Sequence, residues 1–188
     1  MSIAFILVGN KKGATGKTIL SQAIVGRLEK DKQVVSYLEG QGAMDDVIAR
    51  QSNYVVYDQP TGESDRLLLS EPAFSTIIFP TSLNQAAFAT LREFVDEVMC
   101  IKAENPTWDK TVVIALTQPR DTPFASAIFE KMQEKLMVLD AHIIDVSIAV
   151  NDAEKRQLEP LQLQQLLLTR LSEEREEELK QLLTLIEA

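Results

Sequence analysis

The chain has 188 residues, 45% hydrophobic and 25% charged, and its 28 acidic side chains outnumber 19 basic ones for a net charge of −9. That length and balance belong to a globular protein able to bury a substantial core, and the acidic surplus argues against a broad nucleic-acid-binding surface. One cysteine, Cys100, and one histidine, His142, exclude a disulfide framework and argue against a His/Cys metal site.

In chain order, the apolar run Ile3–Val8 is followed by Gly9-Asn10-Lys11-Lys12-Gly13-Ala14-Thr15-Gly16-Lys17-Thr18 and then by the amphipathic stretch Ile19–Leu28. Strand, glycine-rich loop and helix in that order are the context a phosphate-binding loop needs; a chance Gly/Lys turn after a strand is the alternative. Small residues let successive backbone N–H groups point inward at phosphate oxygens, and the positive end of the helix adds to that field. Lys17 is expected to reach the β- and γ-phosphates, and the Thr18 hydroxyl to hold Mg²⁺. A buried strand is expected over Gln33–Leu38, running into Glu39-Gly40-Gln41-Gly42, with helix-compatible residues from Asp45 to Arg50. Tyr54–Tyr57 forms a short apolar strand ending in Asp58, and Gln59-Pro60-Thr61-Gly62 reads as a loop. Asp58 stands where a carboxylate can join a Mg²⁺ shell; an ordinary strand end with an Asp turn is the alternative. Further strands are expected at Thr76–Phe79, Thr111–Leu116 and His142–Val146, and helices at Asn84–Met99 and Phe124–Leu139. His142 reads as structural.

Near-continuous apolar strands alternating with helices specify an α/β fold, a mainly parallel sheet with helices on both faces. Ligands of such sheets sit beyond the carboxyl ends of the strands. The polar candidates cluster there: the loop, Glu39, Asp58 and Gln118. From Pro160 the tail is leucine-rich and then acidic from Glu173 to Glu178. Ser172 is the expected N-cap of a final helix, whose apolar stripe is Leu179, Leu182, Leu183 and Ile186. Its acidic polar face argues against membrane binding. No apolar run reaches the roughly 18 residues a membrane span needs, and Met1-Ser2 lead into a strand without a basic n-region, so no secretory signal and a cytoplasmic location are expected. The expected division is a nucleotide-binding domain over residues 1–158 and a C-terminal helical extension over 159–188, packed on the same domain.

Lys12-Gly13-Ala14-Thr15-Gly16-Lys17-Thr18 closely resembles the deviant Walker A loop of the ParA/MinD family of ATPases, usually KGGxGK[ST], and Tyr54–Gly62 resembles that family's Walker B segment, hhhhDxPxG. The resemblance covers roughly residues 3–155. It implies a P-loop NTPase-like fold, ATP or ADP bound with Mg²⁺ by residues Lys12 to Thr18, and Thr18 and Asp58 at the metal. It also implies that Lys12 crosses a dimer interface to the partner's nucleotide and that the Gly62 backbone senses the γ-phosphate. Gln118 and Asn151 fall where relatives line the adenine, although polar loop residues are an equal reading. Four departures stand out. Lys11 occupies a glycine position, and Ala14 replaces the second glycine of the loop. Tyr37 and Glu39 stand where relatives carry the two aspartates of DxDPQG, the second of which helps position water; that Glu39 contacts only solvent or Lys17 is an equal reading. About 40 residues separate Thr18 from Asp58, fewer than in relatives, so the fold is a minimal version.

The resemblance implies an ATPase that dimerises on ATP, hydrolyses it slowly through Lys12, Lys17, Glu39 and Asp58, and positions cargo. Plasmid DNA held through a DNA-binding adaptor protein is the expected cargo, with weak or indirect DNA contact. The competing reading is a nucleotide-dependent binding switch with negligible turnover, such as a conjugation accessory protein. A small-molecule P-loop kinase leaves Lys12 unexplained.

Overall fold

The computed structural model describes residues 3–13, 15–31, 33–39, 52–117, 123–148 and 157–187. Six strands form one sheet: β1 (Ala4–Val8), β2 (Val35–Glu39), β3 (Tyr54–Asp58), β4 (Phe74–Thr81), β5 (Thr111–Leu116) and β6 (His142–Asp145). Their spatial order is β2-β3-β1-β4-β5-β6, and each adjacent pair is parallel. Among the described residues there are six helices: α1 (Lys17–Lys30), α2 (Asp65–Ser70), α3 (Gln85–Glu104), α4 (Pro123–Leu136), α5 (Pro160–Glu174) and α6 (Glu176–Glu187). None of them is long and apolar enough to cross a membrane.

Strand side chains alternate between faces, and the interior divides accordingly. Leu7, Val55, Tyr57, Ile77, Phe79 and Ile114 meet buried residues of α2, α3 and α4 on one face. There Phe79 stacks on Phe94 with ring centroids 4.3 Å apart. Ile6, Val8, Val56, Ile78, Val113 and Ile144 meet α1, α5 and α6 on the other. Both faces are therefore covered, which is why the strands read as continuous apolar runs rather than as alternating ones.

The helix α3 begins at Gln85, because the Asn84 side chain accepts the Ala87 N–H at 2.9 Å and caps the first turn. Six-residue α2 was not legible in the sequence, since it is too short to show a helical period. The expected helix over Asp45–Arg50 lies outside the described residues. In the tail, Ser172 is not an N-cap, contrary to the sequence reading: it sits inside the last turn of α5. That helix starts at Pro160, whose fixed φ and missing N–H suit the first helical position, and the Glu159 N–H donates to Gln162 Oε1 at 3.0 Å. The break comes three residues later, at Arg175, whose Nε donates to the Ser147 carbonyl beyond β6 at 2.9 Å. Arg27 of α1 pairs with Glu176 at 2.9 Å, and Leu179, Leu182, Leu183 and Ile186 of α6 are buried. The tail is thus two helices on the α1 face of the sheet.

Candidate functional site

The strand order sets the site. With β1 between β3 and β4, the chain departs to opposite sides of β1, and the crevice beyond the carboxyl ends of the strands opens there. Gly9 leaves β1 where there is no room for a side chain: an added Cβ would stand 2.9 Å from Gln59 Oε1 and 3.2 Å from Leu7 Cγ. Asn10 then anchors the loop. Buried, it donates from Nδ2 to the Pro80 carbonyl at 2.9 Å, and its Oδ1 accepts the Lys12 N–H at 3.0 Å. The loop after β3 is tied to the same segment, with Gly62 N–H donating to the Lys11 carbonyl at 3.0 Å.

Gly16 ends the loop with φ of +85°, a left-handed conformation that glycine adopts without Cβ strain. It precedes α1, whose N-terminus has no side-chain cap. The N–H groups of the first turn of α1 have no intrahelical partner and face the crevice end of the helix. They supply the donors and the positive pole that an anion requires.

Thr15, Gly16, Lys17 and Thr18 line a cleft of about 570 Å³ together with Glu39, Asp58 and Pro60. Lys17 is only 7% exposed. Its Nζ donates to the Lys12 carbonyl at 2.7 Å, folding the side chain back over its own loop. Burial lowers the Lys17 pKa, opposed by the charges of Asp58 and Asp65. Lys12 is exposed and its Nζ donates to the Ala86 carbonyl at the start of α3, at 3.0 Å. Lys11 pairs with Glu93 at 2.7 Å, which raises its pKa. Two adjacent lysines thus reach α3, and the third lysine of the loop turns inward.

Register brings the acids together. Glu39 of β2 pairs with Asp58 of β3 at the carboxyl edge of the sheet. Glu39 is exposed and Asp58 is 2% exposed. The Tyr37 hydroxyl donates to Asp58 Oδ2 at 2.9 Å. Burial, and then the Asp58 carboxylate, push the Tyr37 pKa above the usual tyrosine range, so the phenol stays a proton donor. Among the described residues, Asp58 Oδ1 is buried without a hydrogen-bond partner, as is Thr15 Oγ1.

A buried carboxylate oxygen left unpaired is costly, and a cation sharing the cleft would satisfy it. The donor set fits Mg²⁺. That ion takes one or two carboxylates and completes its shell with water and phosphate oxygens, rather than needing an all-protein cage. Among the described residues no group of three His, Cys, Asp or Glu side chains is placed to form such a cage. Asp58 and Thr18 are the residues that would hold the ion.

Several site residues were not legible in the sequence. Gln59, 2% exposed, donates to the Glu63 carbonyl at 3.0 Å and to Asp65 Oδ1 at 2.9 Å, fixing the turn after Asp58. Helix α5 contributes Pro160, Leu163, Gln164 and Leu167 to the cleft wall. Leu167 is shared with an adjoining apolar hollow of about 260 Å³ beside Gly16, Thr117 and Val146. Capping geometry at Pro160 was the available signal for the helix, but not for its placement. Ala14, Gln118 and Asn151 lie outside the described residues.

A parallel sheet of this order, with an uncapped helix following a glycine-terminated loop and a buried Asp at the end of the adjacent strand, defines the P-loop NTPase class of α/β fold. No family model matches the chain, and no curated protein matches it either. Solved structures do. Cyanothece McdA in its apo form aligns over 95% of this chain and 97% of its own, with a TM-score of 0.66 at 10% identity. The pNOB8 ParA bound to nonspecific DNA aligns over 95% and 99%, with a TM-score of 0.58 at 13% identity. The MinD cell division protein of Aquifex aeolicus aligns over 81% and 84%, with a TM-score of 0.55 at 10% identity. Within its class, the chain has the ParA/MinD-like P-loop ATPase fold.

Proposed function

We propose that the chain binds ATP and ADP with Mg²⁺ at the Lys12–Thr18 loop and uses the nucleotide to control its assembly and so to position a cargo. The observation that carries this reading is the juxtaposition in one cleft of the uncapped α1 N-terminus, buried Lys17 and Asp58 with its unpaired Oδ1. Phosphate oxygens would accept from the α1 N–H groups and from Lys17 Nζ, which must first leave the Lys12 carbonyl. Mg²⁺, held by Thr18 and Asp58, would neutralise charge on the phosphates. The apolar hollow beside Gly16 and Thr117 suits the flat face of a base.

Two copies would meet across the crevice with ATP between them. The exposed Lys12 side chain, whose Nζ donates to the Ala86 carbonyl, would exchange that contact for a phosphate of the partner's nucleotide. Glu39 lines the cleft and would orient the attacking water, with Lys17 and the partner's copy of the Lys12 side chain stabilising the charge that develops. A glutamate is one methylene longer than an aspartate, and an offset of about 1 Å can cost on the order of 100-fold in rate, so turnover is slow. The cargo reading, plasmid DNA through a basic adaptor protein, draws on the likeness to the ParA solved with nonspecific DNA and on the acidic run from Glu173 to Glu178. A binding switch without turnover is the second reading, favoured by exposed Glu39 and by Tyr37 at the neighbouring position.

Calorimetric titration of the wild type and of Lys17→Ala with ATP and ADP in the presence of Mg²⁺ tests the core of the proposal. Binding by the wild type and loss of most affinity in the variant is the expected result. Equal titrations overturn the phosphate-loop reading. A single-turnover ATP assay then separates the ATPase from the switch.

A further inference from the structure

Tyr37 touches the candidate metal carboxylate but does not line the cleft. It pairs with Val56 across β2 and β3, so its side chain lies on the same face of the sheet as Asp58, two residues beyond Val56. Diagonal neighbours of this kind lie about 7–8 Å apart, within reach of an aromatic side chain, and the Tyr37 hydroxyl closes on Asp58 Oδ2 at 2.9 Å. Among the described residues that line the cleft are Glu39 and Asp58, both on the β3 side of β1, and Tyr37 is not one of them.

The two oxygens of Asp58 are thereby made unequal. Oδ2 is occupied by a neutral donor, and Oδ1 is left buried with no partner. The Tyr37 hydrogen bond opposes rotation of the carboxylate, because turning it would break the bond to Oδ2, so Oδ1 keeps its orientation. Tyr37 is itself held in the sheet by the flanking pairs of β2, and next to it Ser36 Oγ hydrogen-bonds Ser52 Oγ at 2.7 Å, fastening the strand to the segment leading into β3.

We infer that Tyr37 is a positioning residue for the metal: its hydroxyl locks Asp58 so that Oδ1 alone is presented to the Mg²⁺ shell. This rests on the nucleotide reading of the cleft and specifies how its carboxylate is set. Partners that orient a metal-binding side chain contribute on the order of 10-fold or more to metal affinity.

The test uses Mn²⁺ as the probe, titrated into the full chain saturated with ADP and read by electron paramagnetic resonance. Tyr37→Phe keeps the ring and removes only the hydroxyl; circular dichroism and a thermal melt establish that it folds. The expected result is an apparent Mn²⁺ Kd weakened about tenfold, with ADP affinity measured without metal unchanged. In an Asp58→Asn background the same substitution should have no further effect, because the hydroxyl acts only through the carboxylate. An unchanged Mn²⁺ Kd in Tyr37→Phe, or an equal loss in the Asp58→Asn background, overturns the inference while leaving nucleotide binding intact. A wild type that binds neither ADP nor Mn²⁺ with ADP overturns the nucleotide reading, and the inference with it.

Discussion

Replacing Lys17 by methionine should move stability and binding in opposite directions. The lysine is 7% exposed, and among the described residues its Nζ donates to one partner, the Lys12 carbonyl at 2.7 Å. Methionine fills a similar length without a charge. The lost hydrogen bond is worth roughly 1.5 kcal/mol, but Lys12 is exposed, so water can replace the lysine at its carbonyl. Against that loss stands relief of the burial that depresses the Lys17 pKa. The free variant should therefore unfold within about 1 kcal/mol of the wild type, on the more stable side if burial outweighs the bond. Binding should suffer heavily. A lysine contact to phosphate is worth roughly 1.5–3 kcal/mol, and two phosphates within its reach make the loss about 3 kcal/mol or more, about a hundredfold in Kd. There is also a signature in pH. The folded pKa of Lys17 lies below its ordinary 10.5. Between the two, the unfolded chain holds more protons, so this group makes stability rise with pH in that window. The methionine variant should lack that increment. Urea titration from neutral pH to about pH 10, followed by calorimetry with MgADP, measures all three. A free variant destabilised by more than about 2 kcal/mol would make Lys17 a structural residue, and MgADP affinity within about threefold of the wild type would remove it from any phosphate site.

Gly16→Ala should cost roughly 1–2 kcal/mol, because a Cβ at φ of +85° is strained and would stand 3.3 Å from Thr117 Cγ2, whose hydroxyl is held by the Thr81 carbonyl. A melting temperature equal to that of the wild type would show that the turn relaxes freely. Lys12→Ala should leave the stability of the monomer within about 0.5 kcal/mol yet abolish dimerisation by a non-hydrolysable ATP analogue, as read by sedimentation velocity; a dimer indifferent to both nucleotide and Lys12 would end the two-copy arrangement. Glu39→Gln should retain MgATP binding and lower single-turnover hydrolysis, and undiminished hydrolysis would pass the water-positioning role to another group.

What could be read from the sequence was local in origin. The central strands β1, β3 and β5 are apolar runs, since strands covered on both faces have no polar alternation to show. The conformation of the loop before α1 was equally legible, because it depends on Gly16 and on the start of the adjacent helix, all within a few residues. Asp58 followed from its place at the end of an apolar strand. Tertiary structure decided the rest. The position of β3 between β2 and β1 sets Glu39 opposite Asp58 and brings the Tyr37 hydroxyl onto Asp58 Oδ2. Asn10 reaches Pro80, and α5 comes back to wall the cleft. Ser172 illustrates the same divide: its sequence suits a cap, but the helix runs on to Arg175, where the guanidinium meets the Ser147 carbonyl. Short-range patterns report backbone preference and which face is buried. Which distant side chains meet is settled only when strand order and register choose among pairings that bury apolar surface equally well.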